Sequence, residues 1–259
     1  MLASMNADDA SAPSFTRIAP YYDKLMASVP YRFWVSYLEA LWKTHGVKPR
    51  RVLDVACGTG TVSLLLAAKK MDVVGIDISA DMIAVAREKA AAQKSKARFE
   101  VADASAMEPL GPPADTAICL FDSLNNVIDA EKFTAALRNI KRSLTDDGLL
   151  IFDLNTAYAF RQGMFNQRSS EMDAPLSYVW RSKYDESSHL CTVTMQFDIA
   201  VHGGKPAQRF TETHLQRAYT RVEVEEMLLQ AGFTQITPYD AYSVLGPKKR
   251  SDRIFWVAR

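Results

Sequence analysis

The sequence predicts an α/β fold. It is a doubly wound, seven-stranded, mostly parallel sheet with N-terminal helices and a small antiparallel β insertion. Three observations predict it. Between Arg50 and Asp153, short apolar runs of strand length alternate with segments of helical period. The first run ends in a small-residue loop, Val52-Leu53-Asp54-Val55-Ala56-Cys57-Gly58-Thr59-Gly60. Between Tyr178 and Tyr219 the pattern changes to period two, as in a sheet with one covered face.

The elements follow in order. From Tyr21 to about His45, apolar residues recur at helical spacing: Tyr22, Leu25 and Met26, then Phe33, Tyr37, Leu38, Leu41 and Trp42. Pro30 separates them into two helices. Arg51 to Val55 is the first strand, and Thr61 to Lys70 is a helix. Asp72 to Ile76 is the second strand, and Ser79 caps a helix that runs to about Ala92. Ala97 to Val101 and Thr116 to Phe121 are the third and fourth strands. Asp129 opens a helix with the apolar face Phe133, Leu137, Ile140 and Leu144. The Asp147-Gly148 turn leads into the fifth strand, Leu149 to Asp153. Tyr178–Tyr184, Leu190–Ile199 and Arg209–Tyr219 form the antiparallel insertion, interrupted by Gly203-Gly204. Thr220 and Glu223 form a capping box, and the helix they open buries Val224, Met227, Leu228 and Ala231 before Gly232. Gln235–Tyr239 and Ile254–Ala258 are the last two strands, joined by a turn around Gly246-Pro247. The expected organisation is a mobile tail over 1–15, a core over 16–155 and 220–259, and an inserted lid over 156–219.

Composition excludes several classes. The 259 residues are 48% apolar and 24% charged, as in ordinary globular domains. The net charge of +1 leaves no electrostatic footprint for nucleic acid or a membrane surface. No apolar run approaches the roughly 20 residues of a membrane helix. The polar start, Met1 to Ser14, carries Asp8 and Asp9 and lacks the pattern of a signal peptide. Cys57, Cys119 and Cys191 are scattered and odd in number, and the four histidines have no ligand spacing. The expectation is a cytoplasmic protein, a monomer or homodimer, with no metal.

The chemistry gathers at strand ends. In a doubly wound sheet, ligands sit beyond the carboxyl ends of the strands, where the strand order reverses. Gly58 and Gly60 let a ligand approach the backbone, and the helix start behind them offers free amides. Asp77 ends the second strand, 17 residues after Gly60, where a carboxylate can accept both hydroxyls of a ribose. Asp103 follows the third strand, where it can accept from an adenine amino group. Each residue alone has a structural reading: a turn, a loop organiser or a helix cap. Their ordered recurrence points to a nucleoside cofactor. The dinucleotide fingerprint needs a third glycine, and Ser63 stands there instead.

With VLDVACGTG, Gly75-Ile76-Asp77-Ile78-Ser79, Ala102-Asp103-Ala104 and Asp147 to Thr156, the chain resembles the class I S-adenosylmethionine (SAM)-dependent methyltransferases. The resemblance runs from about Tyr21 to the C-terminus. It implies a Rossmann-like methyltransferase fold with the last strand antiparallel, and SAM as cofactor, released as S-adenosylhomocysteine. It implies that Ala56, Cys57, Gly58 and Gly60 line the methionine part, with Asp54 organising the loop beside them. It puts Asp77 on the ribose, Ile78 and Met82 on the adenine, and Asp103 and Ala104 at its amino group. Phe121 and Asp122 border the methionine and the substrate. The N-terminal Tyr21-Tyr22-Asp23 and the insertion are similar to those of small-molecule methyltransferases, in which a tyrosine reaches over the sulfonium. That role falls to Tyr22.

The cofactor carries the activated methyl group, so the protein must align a nucleophile and exclude water. A base is optional for a neutral amine and needed for a hydroxyl. Asn125 or Asn126, in the polar loop after the fourth strand, can orient a small-molecule acceptor. Trp34, Trp180, Tyr184, His214 and Arg217 are candidate lining residues. Lys248-Lys249-Arg250 reads as a solvated turn. The expected activity is methyl transfer to N or O of a small molecule. A nicotinamide oxidoreductase and a non-catalytic SAM-binding protein are the alternatives.

Overall fold

The computed structural model describes residues 15–169, 176–200 and 207–259. Residues 1–14 of the expected tail, His202 and Gly203-Gly204 lie outside the described residues. The strands are β1 Arg51–Val55, β2 Asp72–Asp77, β3 Arg98–Val101, β4 Ala114–Cys119, β5 Leu144–Asn155, β6 Gln167–Arg168, β7 Leu176–Asp185, β8 Leu190–Ile199, β9 Gln208–Arg217, β10 Ile236–Asp240 and β11 Arg253–Ala258. The helices are α1 Tyr22–Leu25, α2 Tyr31–Thr44, α3 Thr61–Ala68, α4 Ala80–Ala92, α5 Ala130–Arg142, α6 Ala157–Arg161 and α7 Arg221–Gln230.

Seven strands form the main sheet in the order β10-β11-β5-β4-β1-β2-β3. β11 runs antiparallel to both β5 and β10, and the other pairings are parallel. β1 and β4 lie side by side although two strands separate them in the chain. The order therefore reverses between them, and a crevice opens at their carboxyl ends. Helices cover both faces. Phe133, Leu137, Val224 and Leu228 of α5 and α7 pack in one core. Leu38, Leu41, Leu66 and Ile83 of α2, α3 and α4 pack in the other.

β6-β7-β8-β9 form a second, antiparallel sheet. On β8, Cys191, Val193, Met195, Phe197 and Ile199 all face inward, as period two requires. They share a core with Ile18, Ala19 and Met82, so the N-terminal segment packs between this sheet and α4.

Several boundaries differ from the sequence expectation. α5 stops at Arg142, and Leu144 belongs to β5, paired with Ala114. The register shifts between Ala114 and Thr116, so the Asp147-Gly148 turn is a bulge inside β5. β4 ends at Cys119; Phe121 and Asp122 are left-handed residues beyond it. Phe33, expected on the buried face of α2, is exposed and packs on Tyr242. The strand β6 and helix α6 have too few residues to carry a period, and pattern reading passes over them.

Candidate functional site

β1 delivers the chain into a loop that only small residues can form. Ala56, Gly58 and Gly60 all have positive φ, at 54°, 54° and 74°. Alanine rarely adopts that conformation, and such strain collects where a loop must present its backbone. The two glycines are needed for different reasons. A Cβ on Gly60 would lie 2.6 Å from the Phe99 ring, whereas one on Gly58 would meet nothing within 4 Å. Gly60 serves packing, and Gly58 keeps the cleft open.

The acids hold this loop. Asp77 accepts from Gly58 N and Ser79 N, both at 2.9 Å, and so ties the first loop to the second. Each carboxylate oxygen keeps a further lone pair. Burial raises the Asp77 carboxyl above its ordinary range, against the backbone bonds that lower it. Asp54 is buried and accepts from Ser63 Oγ. Burial pushes its carboxyl up to about 7, with the nearby Asp77 charge adding to the effect. Asp54, Ala56, Cys57 and Gly58 line one cleft with Tyr22 and Phe121. Burial raises the Cys57 thiol well above its usual range, so this thiol stays protonated.

The expected adenine side is more open. Ile78 is exposed at the end of β2. Asp103 is exposed and accepts from Ser105 N and Oγ, each at 2.8 Å, which shapes the third loop. The Ala104 carbonyl accepts from Asn139 Nδ2 at 3.1 Å. Met82 is buried beneath Ile18 and Ala19 in the second-sheet core, rather than lying free beside Ile78.

At the switch point, Phe121 and Asp122 have φ of 62° and 48°. Trp34 stacks on Phe121 at 4.0 Å, which holds the turn from the α2 side. Asp122 accepts from Arg253 Nη2 at 2.8 Å and Gln216 Nε2 at 2.9 Å. Asp153 is fully buried, accepts from Arg253 Nη1 and from Asp122 N, and is raised to about 6 by burial despite that guanidinium. Two strands and the insertion thus converge on Asp122.

Asn125 does not face the cleft. Its Nδ2 donates to the Asn155 and Arg217 carbonyls at 3.2 and 2.8 Å, and its Oδ1 accepts from Asn155 N at 2.9 Å. The side chain is buried and spent on backbone groups, so it fixes the loop and cannot also grip an acceptor. Asn126 differs. Its Nδ2 bonds Ser123 O, but its Oδ1 is buried without a partner among the described residues.

Asn126 lines a second chamber of about 120 Å³, between the N-terminal segment and the inserted sheet. Tyr22 and Phe121 line both spaces and so form the partition. Burial pushes the Tyr22 phenol up, and nearby Tyr31 and Asp122 add to it, which keeps it protonated. The chamber is mostly apolar, with Leu25, Met26, Phe165 and Phe197 among its walls. One stripe is not. Glu212, His214 and Gln216 project from β9 at every second residue toward the core. His214 Nε2 lies 3.0 Å from Glu212 Oε2, and Glu212 Oε1 accepts from Ile18 N at 3.3 Å. Phe15 lies over the imidazole at 4.3 Å.

Of the candidate lining residues, His214 and Trp180 face this chamber, and Trp34 supports Phe121 from behind. Tyr184 instead meets His189 and Phe160, while Arg217 pairs with Glu223. Lys249 and Arg250 are exposed in their turn, and Lys248 lies 3.6 Å from Asp240. Sequence reasoning singled out neither Glu212 nor Gln216. The available signal was three polar residues on the face of a strand that should be buried. It also missed the latch on the N-terminal segment. Thr59 Oγ1 donates to Asp23 at 2.6 Å, and Lys89 Nζ pairs with Asp23 at 2.7 Å. Among the described residues, no helix is long and apolar enough to cross a membrane, and no group of acids, histidines and cysteines could hold a metal.

Residues 52–148 match the methyltransferase domain family. The chain is 30% identical over 241 residues to the methyltransferase-family protein YqeM of Bacillus subtilis, covering 93% of this chain and 95% of that one. It is 34% identical over 145 residues to the demethylmenaquinone methyltransferase of Thermus thermophilus, covering 53% and 62%. The crystal structure of an S-adenosylmethionine-dependent methyltransferase from Clostridium acetobutylicum superposes with a TM-score of 0.79 at 26% identity, covering 95% of this chain and 99% of that one. With the glycine loop, the bridging Asp77 and the reversed strand order behind it, this chain belongs to the class I SAM-dependent methyltransferases.

Proposed function

We propose that the protein moves a methyl group from SAM to nitrogen or oxygen of a small-molecule acceptor. The observation that carries this reading is the pair of adjoining spaces that share Tyr22 and Phe121 as a common wall. One is lined by the glycine loop and suits the donor. The other is small, largely apolar and closed by the chain's own N-terminal segment, which suits a small acceptor. The demethylmenaquinone methyltransferase relative, which matches about half of this chain, supports a small-molecule acceptor.

The residues present fit the donor. The carboxylates of Asp54 and Asp77 complement its positive charges and its ribose hydroxyls, and Gly58 leaves open space for its approach. When bound, SAM supplies a methyl carbon on a positively charged sulfur. In this reading Ala56, Cys57, Gly58 and Gly60 hold the methionine part, Asp77 the ribose, and Ile78, Asp103 and Ala104 the adenine. Met82 backs the adenine site from the core. Tyr22 and Phe121 flank the transfer line, with Asp122 fixing Phe121. Residues 16–155 and 220–259 form the donor-binding core, and 156–219 form the acceptor-facing lid.

Calorimetry tests the donor half. SAM and S-adenosylhomocysteine should bind, NAD should not, and Asp77→Ala should lose most of the affinity while remaining folded. Tight NAD binding without SAM binding would overturn the reading. Screening a metabolite pool with methyl-labelled SAM tests the acceptor half.

A further inference from the structure

We propose that His214, held by Glu212, is the general base of the reaction, and that the acceptor is a compact aromatic hydroxyl compound. This rests on the methyltransferase reading above and deepens it.

The argument starts from hydrogen-bond accounting. Glu212 accepts Ile18 N with one oxygen and faces His214 Nε2 with the other. A carboxylate can only accept, so Nε2 carries the imidazole proton. Nδ1 is then the basic nitrogen. It is buried and has no partner among the described residues. Phe15 packs against the ring at an interplanar tilt of 33°. A buried lone pair without a donor is costly, and it marks a place where a ligand's donor is missing.

His214 is not alone in this. Gln216 Oε1 and Asn126 Oδ1 are also buried acceptors without partners, and both residues line the same chamber. Among the described residues, Trp180 Nε1 is the one fully buried side-chain donor there without a partner. Three acceptors against one donor call for a ligand that brings X–H groups. The walls between them are largely aromatic, including Phe15, Phe121, Phe165 and Phe197. The volume of about 120 Å³ is of the order of the ~150 Å³ apolar cavity that admits benzene. One ring with a hydroxyl and a second small polar substituent matches the polar groups, and the volume limits the acceptor to a single ring.

The base then has a defined task. A phenol is a poor nucleophile while it keeps its proton, with a pKa of about 10. As its oxygen bonds to the methyl carbon, the methyl–sulfur bond breaks and that electron pair stays on sulfur. The phenolic proton passes to His214 Nδ1. The positive charge that left the sulfur therefore ends on an imidazolium facing the Glu212 carboxylate. Tyr22 and Phe121, shared by both spaces, keep water from the transfer line. His214 is the catalytic residue, and Glu212 is a positioning residue that fixes its tautomer.

The test uses phenol and the more acidic 4-nitrophenol as probes. His214→Gln should cut labelled methyl transfer to phenol at least about 100-fold. Transfer to 4-nitrophenol, already ionised near neutral pH, should fall less than about tenfold. Glu212→Gln should show the same split more weakly. S-adenosylhomocysteine affinity should stay within about twofold in both variants, which separates a lost base from a lost donor site. A second readout needs no variant. 4-Nitrophenol bound to the wild-type protein with S-adenosylhomocysteine should show the phenolate absorption band at a pH where the free compound is largely neutral. Equal losses for both probes, or a bound nitrophenol with an unshifted spectrum, would overturn the proposal. Transfer to amines but to no phenol would also overturn it, while leaving the methyltransferase reading intact. Failure to bind either SAM or its product would instead defeat that reading itself.

Discussion

Replacing Asp54 with asparagine should abolish an acid-side dependence of SAM binding. The carboxyl is buried in the cleft wall and raised to about 7, so about half the molecules carry its proton at neutral pH. SAM brings a sulfonium and an ammonium, and positive charge favours the ionised carboxylate. Below pH 7 the proton must leave for the ligand to bind well. Affinity should therefore fall about tenfold per pH unit until the pKa of the bound state is reached. If the ligand returns the carboxyl to about 4, the fall from pH 7 to pH 5 is about 50-fold, about 2.3 kcal/mol. Above about pH 7 the carboxyl is already ionised and contributes no slope. Asparagine keeps an oxygen for the Ser63 hydroxyl but has no charge. The variant should bind less tightly than wild type at pH 7, converge with it only toward pH 4, and show no slope between. Calorimetry at half-unit pH steps, in two buffers of different ionisation heat, should also detect about half a proton released per SAM at pH 7 in the wild type alone. The same slope in both proteins, or proton uptake on binding, would refute the reasoning. Stability should move the other way. A carboxyl raised above its unfolded value costs the native state stability as pH climbs from about 4 to about 7. Ligand-free Asp54→Asn should therefore melt higher than wild type at pH 8, with the gap closing toward pH 4.

Three further variants have outcomes set by the same geometry. Gly60→Ala puts a Cβ 2.6 Å from the Phe99 ring at a φ of 74° and should lower stability by about 2–4 kcal/mol in denaturant titrations. Gly58→Ala, with open space around it, should cost only about 1 kcal/mol of stability yet weaken SAM binding sharply. Arg253→Met leaves the buried Asp153 and Asp122 without their cation and should destabilise by about 3–5 kcal/mol at pH 8. Because Asp153 stands at about 6 even with the cation present, protonation should recover part of that loss at pH 5. Thermal melts at the two pH values check this.

The donor side was legible because its requirements are local. A strand, a turn and a carboxylate at the next strand end are each set within a few residues, and Gly58, Gly60 and Asp77 could be read without knowing the fold. Asn125 was not legible. Whether an amide reaches a ligand or the backbone depends on where Asn155 and Arg217 arrive, 30 and 92 residues later. Asp122 also looked like a free acid. Its role depends on Arg253, brought from 131 residues away by the antiparallel last strand. Met82 has helical spacing and an apolar side chain under either reading, and only the packing of Ile18 and Ala19 over it decides. The acceptor side was partly legible. The period-two pattern of β9 was visible, but of the polar residues on its inner face only His214 stood out, and Glu212 and Gln216 did not. Glu212, His214 and Gln216 break the rule that the covered face is apolar, and they do so where the chamber lies.

The two sides of the site are held by different means. The donor side is braced by carboxylates: the half-buried Asp77 across two loops, and the buried Asp122 and Asp153 on Arg253. The N-terminal segment that roofs the chamber is held at Ile18 by one backbone bond to Glu212, and at Asp23 by Thr59 and Lys89. Asp23 is exposed, so its ion pair is screened by water and adds little stability. Packing holds the segment as well, because Ile18 and Ala19 are buried in the second-sheet core beside Met82. Tyr22 lies between these two ties and stands in the wall of both spaces, so the ties also fix the partition. The Ile18 backbone bond falls on Glu212, the residue that faces His214 Nε2 with its other oxygen. Covering the chamber and orienting the imidazole therefore depend on the same carboxylate.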